Sequence, residues 1–287
     1  MADPRTGIDN HDAPMRATWD AAAPGWDSNG ALIGNWLRTS TAAMLDAADI
    51  KTGQHVLDVA AGAGEQTIDI ARRIGSTGRV VAVDLSPELV ARAKVNLSRA
   101  SCFNAEAHVG NGQTLGFDAA FDSAVCRLGL MFFTDPLAGI KGMRRSLKPG
   151  GRVAALVFGG PEYNPLIVEQ LAIAARHAGV APLDPCVAGG LLSLGDPVRL
   201  TKLFEQAGFV LVDCCAIAAP MNLPRAQDYV DFLRTAAGPI VKIASGLSNP
   251  QRAALWLDLE RAFARFQSAD KWCGENQLLL VSGSANN

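Results

Sequence analysis

Short apolar runs alternate with amphipathic stretches from residue 56 to residue 158, and this alternation restricts the possible folds of the chain most. The apolar runs predict strands, and most stretches between them have the three- and four-residue apolar spacing of helices. Ser86 and Pro87 have the residue types of an N-cap and a first helical position. Parallel strands need such crossovers, so the sequence predicts a doubly wound, Rossmann-like α/β sheet. The strands are expected at 56–59, 79–84, 107–109, 121–126 and 152–158.

The alternation is interrupted after residue 158. Two further strands, 209–217 and 277–282, complete a mostly parallel sheet of seven strands. Two late segments are too long to be simple connections, so we expect them to form helical lid insertions. The prediction is one domain over the whole chain. Its parts are expected at 1–50 for N-terminal lid helices, 51–160 for the ligand-binding core, and 161–195 and 224–270 for the insertions.

The composition excludes several classes of protein. The chain has 287 residues, of which 49% are apolar, so it can bury a large core. Its formal net charge of −2 gives no general attraction to nucleic acid. No run approaches the roughly 18 apolar residues of a membrane span. The six cysteines lack C-x-x-C spacing and no secretory signal is visible, so we expect no metal site and a cytoplasmic location.

A glycine-containing turn follows the first predicted strand. The segment Leu57-Asp58-Val59-Ala60-Ala61-Gly62-Ala63-Gly64 lies where that strand meets a helix, and glycines there allow close approach of a ligand to the backbone. Asp84 ends the second strand, where an acid can accept hydrogen bonds from both hydroxyls of a ribose. The pattern therefore predicts a site for a cofactor that contains a nucleoside.

Two residues favour S-adenosylmethionine (SAM) over a dinucleotide. A dinucleotide turn has a small residue three positions after the second glycine of its G-x-G, where this chain has Thr67. Asp58 would repel a pyrophosphate, whereas it suits the ammonium group of an amino acid. A nucleotide-dependent oxidoreductase is therefore the weaker alternative.

Residues 56–158 resemble the core of class I SAM-dependent methyltransferases, in particular the ubiquinone/menaquinone-biosynthesis branch. The turn resembles that family's glycine motif, with Ala60 at the first glycine position. Gly110-Asn111-Gly112 stands where the family has Gly-Asp-Ala, whose acid accepts from the adenine amino group. Further similar motifs are Phe121-Asp122-Ser123-Ala124-Val125-Cys126-Arg127 and Leu147-Lys148-Pro149-Gly150-Gly151. The resemblance implies that SAM is bound by Trp19, Asp58, Ala60, Gly62, Gly64, Asp84, Leu85, Asn111, Gly112 and Cys126.

The acceptor of the methyl group is less constrained by the sequence. We expect a small, apolar or aromatic molecule, held by the N-terminal helices and the insertions in a mostly apolar pocket. Tyr163 and His177 are the candidates for catalytic residues. Methylation at oxygen, nitrogen or carbon is left open, as is a homodimer. A SAM-binding protein without catalysis is the other alternative, since a fold does not define an activity.

Overall fold

Nine strands occur in the computed structural model, which describes residues 12–286. In chain order they are β1 His55–Val59, β2 Arg79–Asp84, β3 Ala105–Val109, β4 Phe121–Arg127, β5 Leu147–Phe158, β6 Phe209–Ala218, β7 Met221–Leu223, β8 Trp272–Gly274 and β9 Gln277–Ala285. Seven of them form one sheet in the order β3-β2-β1-β4-β5-β9-β6. Strands β7 and β8 pair separately.

Helices surround this sheet and precede it in the chain. They are α1 Ala13–Ser28, α2 Gly30–Ala47, α3 Glu65–Ile74, α4 Pro87–Arg99, α5 Pro136–Ser146, α6 Pro165–Ala178, α7 Pro197–Gln206, α8 Ala226–Thr235, α9 Gly238–Ser245 and α10 Asn249–Phe263. Short 3₁₀ helices cover Leu130–Phe132, Pro161–Tyr163 and Ala264–Phe266. No helix within residues 12–286 is long and apolar enough to cross a membrane.

The prediction of a doubly wound, mostly parallel sheet of seven strands is confirmed. Strand β1 pairs in parallel with both β2 and β4, and β9 is antiparallel to its neighbours β5 and β6. The chain moves outward from β1 to β3 and then returns to β4 on the other side of β1. Right-handed crossovers in opposite directions place helices on both faces of the sheet. The strand order therefore reverses between β1 and β4, and a crevice forms there.

Local signals set several helix ends. The Ser86 hydroxyl accepts from the backbone N–H of Leu89 at 3.1 Å, so Ser86 caps α4 as its sequence predicts. Asp135 caps α5 in the same way, through the N–H of Ala138. Both helices therefore begin at the carboxyl edge of the sheet, where the preceding strands end.

Two details of the sheets differ from the sequence prediction. The sequence predicts a turn at Pro149-Gly150-Gly151, whereas β5 already begins at Leu147, which pairs with Phe121 before a shift of register. The turn residues are accommodated in that irregularity, because a bulge leaves residues unpaired without ending the strand. The strands β7 and β8 have three residues each, too short for apolar periodicity to reveal.

The segments expected to form lids are helical where the structure describes them. Helix α6 lies in the first insertion, and α8, α9 and α10 lie in the second. Helix α1 packs on α4 and α9, and α6 packs on α9 and α10. Residues 1–11 of the predicted N-terminal lid lie outside the described residues. The insertions and α1 therefore meet above the carboxyl edge of the sheet.

Candidate functional site

A cavity lies at the carboxyl ends of β1 to β4, where the strand order reverses, and we call it the strand-end cavity. Seven of the ten residues predicted to bind the cofactor line it: Trp19, Ala60, Gly62, Asp84, Leu85, Asn111 and Gly112. The other wall residues are Asp12, Met15, Trp26, Val83, Leu89, Gly110, Gln113, Arg127, Leu128, Gly129, Phe132, Phe133 and Thr134.

The turn after β1 approaches this cavity through its backbone. Ala60 and Gly62 have φ angles of +57° and +60°, in the left-handed region. A Cβ atom at Gly62 would lie 3.0 Å from the indole nitrogen of Trp26. Glycine at this position therefore lets the Trp26 ring close against the turn, in the conformation that L side chains disfavour.

Asp84 is held in a defined orientation at the end of β2. One carboxylate oxygen accepts from the N–H of Gly62 and the other from the N–H of Ser86, both at 2.9 Å. The residue is only 8% exposed, and burial raises its pKa to about 6, while the two N–H groups oppose that shift. Each oxygen keeps further acceptor positions, and the side chain lines the cavity, so it can accept from a ligand's hydroxyl groups.

Asn111 forms hydrogen bonds within the protein through both ends of its amide. Its Oδ1 accepts from the backbone N–H of Gln113 at 2.8 Å, and its NH₂ group donates to a carboxylate oxygen of Asp12 at 2.6 Å. The Asn111 oxygen already accepts from Gln113, but an amide oxygen has two lone pairs, so its contact with an adenine stays a prediction. Asp12 lines the cavity beside Asn111, and the sequence analysis did not single it out.

Asp58 does not line the strand-end cavity. Its side chain is completely buried beneath the turn, where it accepts hydrogen bonds from Thr67, at 2.6 Å, and from Gln66. Burial raises its pKa to about 7, although both hydrogen bonds and the charge of Arg127 lower it. In this structure the Asp58 carboxylate binds the start of α3, and its contact with an ammonium group stays a prediction.

Gly64 and Cys126 also lie off the cavity wall. A Cβ atom at Gly64, where φ is +93°, would meet the Cβ of Ala93 at 3.2 Å, so glycine at this position permits close packing against α4. Cys126 is completely buried in β4, and burial raises its pKa to about 12. Contact of either residue with the cofactor stays a prediction from its motif.

Arg127 is a cavity residue that the sequence analysis missed. It ends β4, lines the strand-end cavity and donates to the hydroxyl of Thr41 at 3.0 Å. Burial lowers its pKa, whereas the charges of Glu65 and Asp58 raise it. Its place directly at the carboxyl end of a central strand was the available signal, because ligands of such sheets bind there.

Helix α1 closes the cavity with two tryptophans. The rings of Trp19 and Trp26 meet edge to face with centroids 5.9 Å apart, and Trp19 meets Phe132 in the same manner at 5.0 Å. Both tryptophans also line a second cavity, so they lie between the two spaces. Their position fits the predicted N-terminal lid.

The second cavity, which we call the aromatic cavity, lies between the sheet and the insertions. Apart from Trp19 and Trp26 its walls are Trp36, Leu128, Met131, Phe132, Phe158, Ile167, Gln170, Leu191, Met221, Tyr229, Phe232, Leu233, Ala236, Ala237, Gly238, Pro239, Ile240 and Asn276. None of these residues is acidic or basic. Residues of both predicted insertions are among them.

The two candidates for catalytic residues line neither cavity. Tyr163 is 53% exposed, and His177 binds Asp258 through its Nε2 at 3.0 Å. The structure therefore does not place either residue against a molecule bound in the two cavities. Tyr163 follows β5 closely, but the 3₁₀ helix that contains it turns the ring outward; His177 lies at the far end of α6 from the cavity.

Sequence comparisons agree with this geometry. The model of the ubiE/COQ5 methyltransferase family matches residues 35–174. The ubiquinone/menaquinone biosynthesis C-methyltransferase UbiE of Escherichia fergusonii is 34% identical over 179 residues, which cover 59% of this chain and 71% of that protein. The chain belongs to the ubiE/COQ5 methyltransferase family. The enzyme of the same name from Enterobacter sp. is 36% identical over 124 residues, 42% of this chain, and the match spans 49% of that relative.

A solved structure shows the same fold. The YcgJ protein from Bacillus subtilis matches with a TM-score of 0.59 and 18% identity, over 87% of this chain and 99% of that one. The predicted class I fold, the family and SAM as its cofactor are confirmed. The strand-end cavity fits SAM, since a buried acid, a left-handed turn and apolar walls lie side by side in it.

Proposed function

We propose that this protein transfers the methyl group of SAM to a ring carbon of a small, flat, apolar acceptor that binds in the aromatic cavity. The observation that carries the proposal is that the two cavities share part of their walls. Trp19, Trp26, Leu128 and Phe132 line both of them. A methyl donor in the strand-end cavity would therefore be separated from an acceptor in the aromatic cavity only by side chains, which would move aside for the transfer.

The cofactor is expected to lie across the carboxyl ends of β1, β2 and β3. The turn around Gly62 would hold its methionine portion, with Arg127 attracting the carboxylate. Asp84 would accept from the ribose hydroxyls, and Leu85 and Gly112 would flank the adenine. SAM supplies a methyl group on a sulfonium, which is already a strong electrophile.

The shape and polarity of the aromatic cavity support a flat acceptor with a mostly apolar surface. The rings of Trp36 and Phe158 are nearly parallel, with an angle of 27° and centroids 6.2 Å apart. Phe232 meets Trp36 edge to face at 6.4 Å. The indole N–H of Trp36 donates to the carbonyl of Ala219 at 2.7 Å, so the ring is fixed. A charged group away from the reacting ring would lose its hydration there without gaining a partner charge, whereas the charge of a phenolate is offset by the positive sulfonium of SAM.

One polar corner of this cavity can orient the acceptor. The hydroxyl of Tyr229 donates to the side-chain oxygen of Gln170 at 2.8 Å. Gln170 therefore presents its NH₂ group as a donor, and the amide of Asn276 lies on the same wall. An acceptor with a single ring oxygen can bind this corner while its remaining surface contacts the aromatic rings.

The described walls of the aromatic cavity contain no acidic, basic or histidine side chain, and this determines the chemistry that we propose. Burial raises the pKa of Tyr229, so its phenol stays protonated and cannot act as a base near neutral pH. The acceptor must therefore bring its own nucleophile. We propose a phenolate-type ring, whose carbon forms the new bond to the methyl group while the methyl–sulfur bond breaks with its electron pair remaining on sulfur. The product then loses the proton of that ring carbon to water after it leaves the cavity, which restores the aromatic ring.

Positioning is the main contribution of the protein in this scheme. A well-oriented pair of reactants can gain about 7–11 kcal/mol relative to free reactants. Trp19 and Trp26 would exclude water from the point of transfer, and the Gln170 corner would fix the ring. The printed names of the relatives, C-methyltransferases of ubiquinone and menaquinone biosynthesis, support carbon as the methylated atom.

The experiment offers the protein isotopically labelled SAM and a naphthohydroquinone with one unsubstituted carbon on its hydroxyl-bearing ring. We expect S-adenosylhomocysteine to form and NMR to locate the label on that carbon. The same compound with both hydroxyls blocked as ethers should not react, since it cannot become a phenolate. A label on oxygen, or binding of SAM without turnover of any ring acceptor, would overturn the proposal.

Variants test whether the aromatic cavity holds the acceptor. Phe232→Leu should raise the acceptor KM by about tenfold, because loss of apolar contact of this size is worth 1–3 kcal/mol. The affinity for SAM, measured by calorimetry, should stay unchanged. Tyr163→Ala and His177→Ala are matched controls outside the cavities and should leave both constants unaltered. A larger effect of Phe232→Leu on SAM than on the acceptor would contradict the placement.

A further inference from the structure

We infer that Asp12 recognises the amino group of the cofactor's adenine, in place of the acid that the family has at position 111. The start of α1 would thereby determine which base the protein accepts. This inference rests on the SAM site described under the proposed function, and its test separates the two.

The orientation of the Asn111 amide is the first step. Its NH₂ group faces the carboxylate of Asp12 at 2.6 Å and its oxygen faces the N–H of Gln113 at 2.8 Å. The reversed amide would set oxygen against carboxylate and NH₂ against N–H, so the two neighbours determine one orientation. Asn111 therefore orients Asp12, and the negative charge at this end of the cavity belongs to Asp12.

The location of this pair is the second step. Asp84 ends β2, and Asn111 follows β3, the next strand outward in the sheet. A nucleoside whose ribose lies at Asp84 extends its base towards the end of β3. Leu85, Leu89 and Phe133 supply apolar walls there. The base consequently lies beside Asp12, which is buried and lines the same cavity.

Hydrogen-bond chemistry is the third step. The amino group on C6 of adenine is a donor, and a carboxylate accepts at about four positions on its two oxygens. Asp12 can therefore accept from Asn111 and from adenine together. A hypoxanthine has a carbonyl at C6, which would face the carboxylate as a second acceptor. A site with a buried acceptor should therefore discriminate strongly between these two bases.

A binding experiment without turnover tests this assignment. Calorimetry would measure the dissociation constants of S-adenosylhomocysteine and S-inosylhomocysteine for the wild type and for Asp12→Asn. We expect the wild type to bind the adenosyl compound at least tenfold more tightly than the inosyl compound, and Asp12→Asn to lose most of this preference. A charged hydrogen bond is worth about 1.5–3 kcal/mol, which corresponds to about 10–100-fold in the dissociation constant.

A charge exchange and a matched control make the result specific. The double variant Asp12→Asn/Asn111→Asp moves the carboxylate to position 111. The hydrogen bond between an amide and a carboxylate remains possible there, so we expect the preference for adenine to return. Asp27→Asn is the control on the same helix. Asp27 binds Arg92 and Asn96 on α4 and does not line the cavity, so the ratio should not change.

The outcomes distinguish a recognition role from an anchoring role. If Asp12→Asn weakens both compounds equally, so that the ratio of their dissociation constants keeps its wild-type value, Asp12 only anchors α1 and the inference is wrong. If Asp12→Asn does not fold, as judged by its circular dichroism, the double variant alone decides through its ratio. If the wild type binds neither compound, the proposed cofactor site itself fails, which is a separate result.

Discussion

Replacing Asp84 by Asn should separate the role of this side chain in folding from its role in binding. In the structure both carboxylate oxygens accept backbone N–H groups, from Gly62 and Ser86. An amide in either orientation would set its NH₂ group against one of these N–H groups. One hydrogen bond is thus lost, at a cost of about 1–3 kcal/mol in the free energy of unfolding.

The loss in binding is expected to be of similar or larger size. Two ribose hydroxyls would each donate a hydrogen bond to the charged carboxylate of Asp84, and each such bond is worth about 1.5–3 kcal/mol. A hydrogen bond to the neutral amide of the variant is worth about 0.5–1.5 kcal/mol. The difference for two bonds is about 2 kcal/mol or more, which corresponds to roughly 30-fold weaker binding of SAM. Titration calorimetry at pH 7.5 measures this loss, and circular dichroism verifies that the variant is folded.

The pH dependence gives an independent measurement of the same group. Burial raises the pKa of Asp84 to about 6, so its charged form is lost as the pH falls through 6. SAM affinity of the wild type should therefore decrease below pH 6, by up to tenfold for each further pH unit. Asp84→Asn should lack this component. A folded variant with wild-type affinity and an unchanged pH profile would refute the ribose assignment.

Two predictions concern stability. Gly64→Ala places a side chain at φ +93° against Ala93, so urea denaturation should show a loss of about 1–2 kcal/mol in unfolding free energy. Gly208→Ala, also at positive φ but with open space around it, should cost less. Equal costs for the two variants would contradict the packing argument. Burial raises the pKa of Asp58 to about 7. Between pH 4 and 7 the folded protein therefore keeps a proton that the unfolded chain has already released, so the free energy of unfolding should fall as the pH rises through this range. Asp58→Asn should flatten that slope by up to about 1.4 kcal/mol per pH unit, and an unchanged slope would show that Asp58 is not the titrating group.

Much of the core could be predicted because its signals are local. The helix start at Ser86, the strand ending in Asp84 and the turn around Gly62 each depend on neighbours within a few positions. Their order along the chain also implies a parallel sheet, since short crossovers have one preferred hand. Seven of the ten predicted cofactor residues lie on one cavity for this reason.

The predicted site residues that lie off both cavities are distinguished by the direction of the side chain. Asp58, Gly64 and Cys126 lie in the predicted motif segments, yet each side chain, or the Cβ atom that Gly64 lacks, points into the packing beneath the cavity. Tyr163 and His177 lie at plausible distances along the chain, and helix geometry turns both away. Residue spacing alone does not contain this information.

The sequence by itself determined the sheet, its glycine turn and the class of cofactor, because these follow from patterns within short segments. The tertiary structure alone decided which distant segments meet. Asp12 and Asn111 are 99 positions apart, and Tyr229 and Gln170 are 59 apart, yet each pair is joined by one hydrogen bond. Such contacts arise when helices pack over a shared edge of the sheet, and no local propensity specifies them.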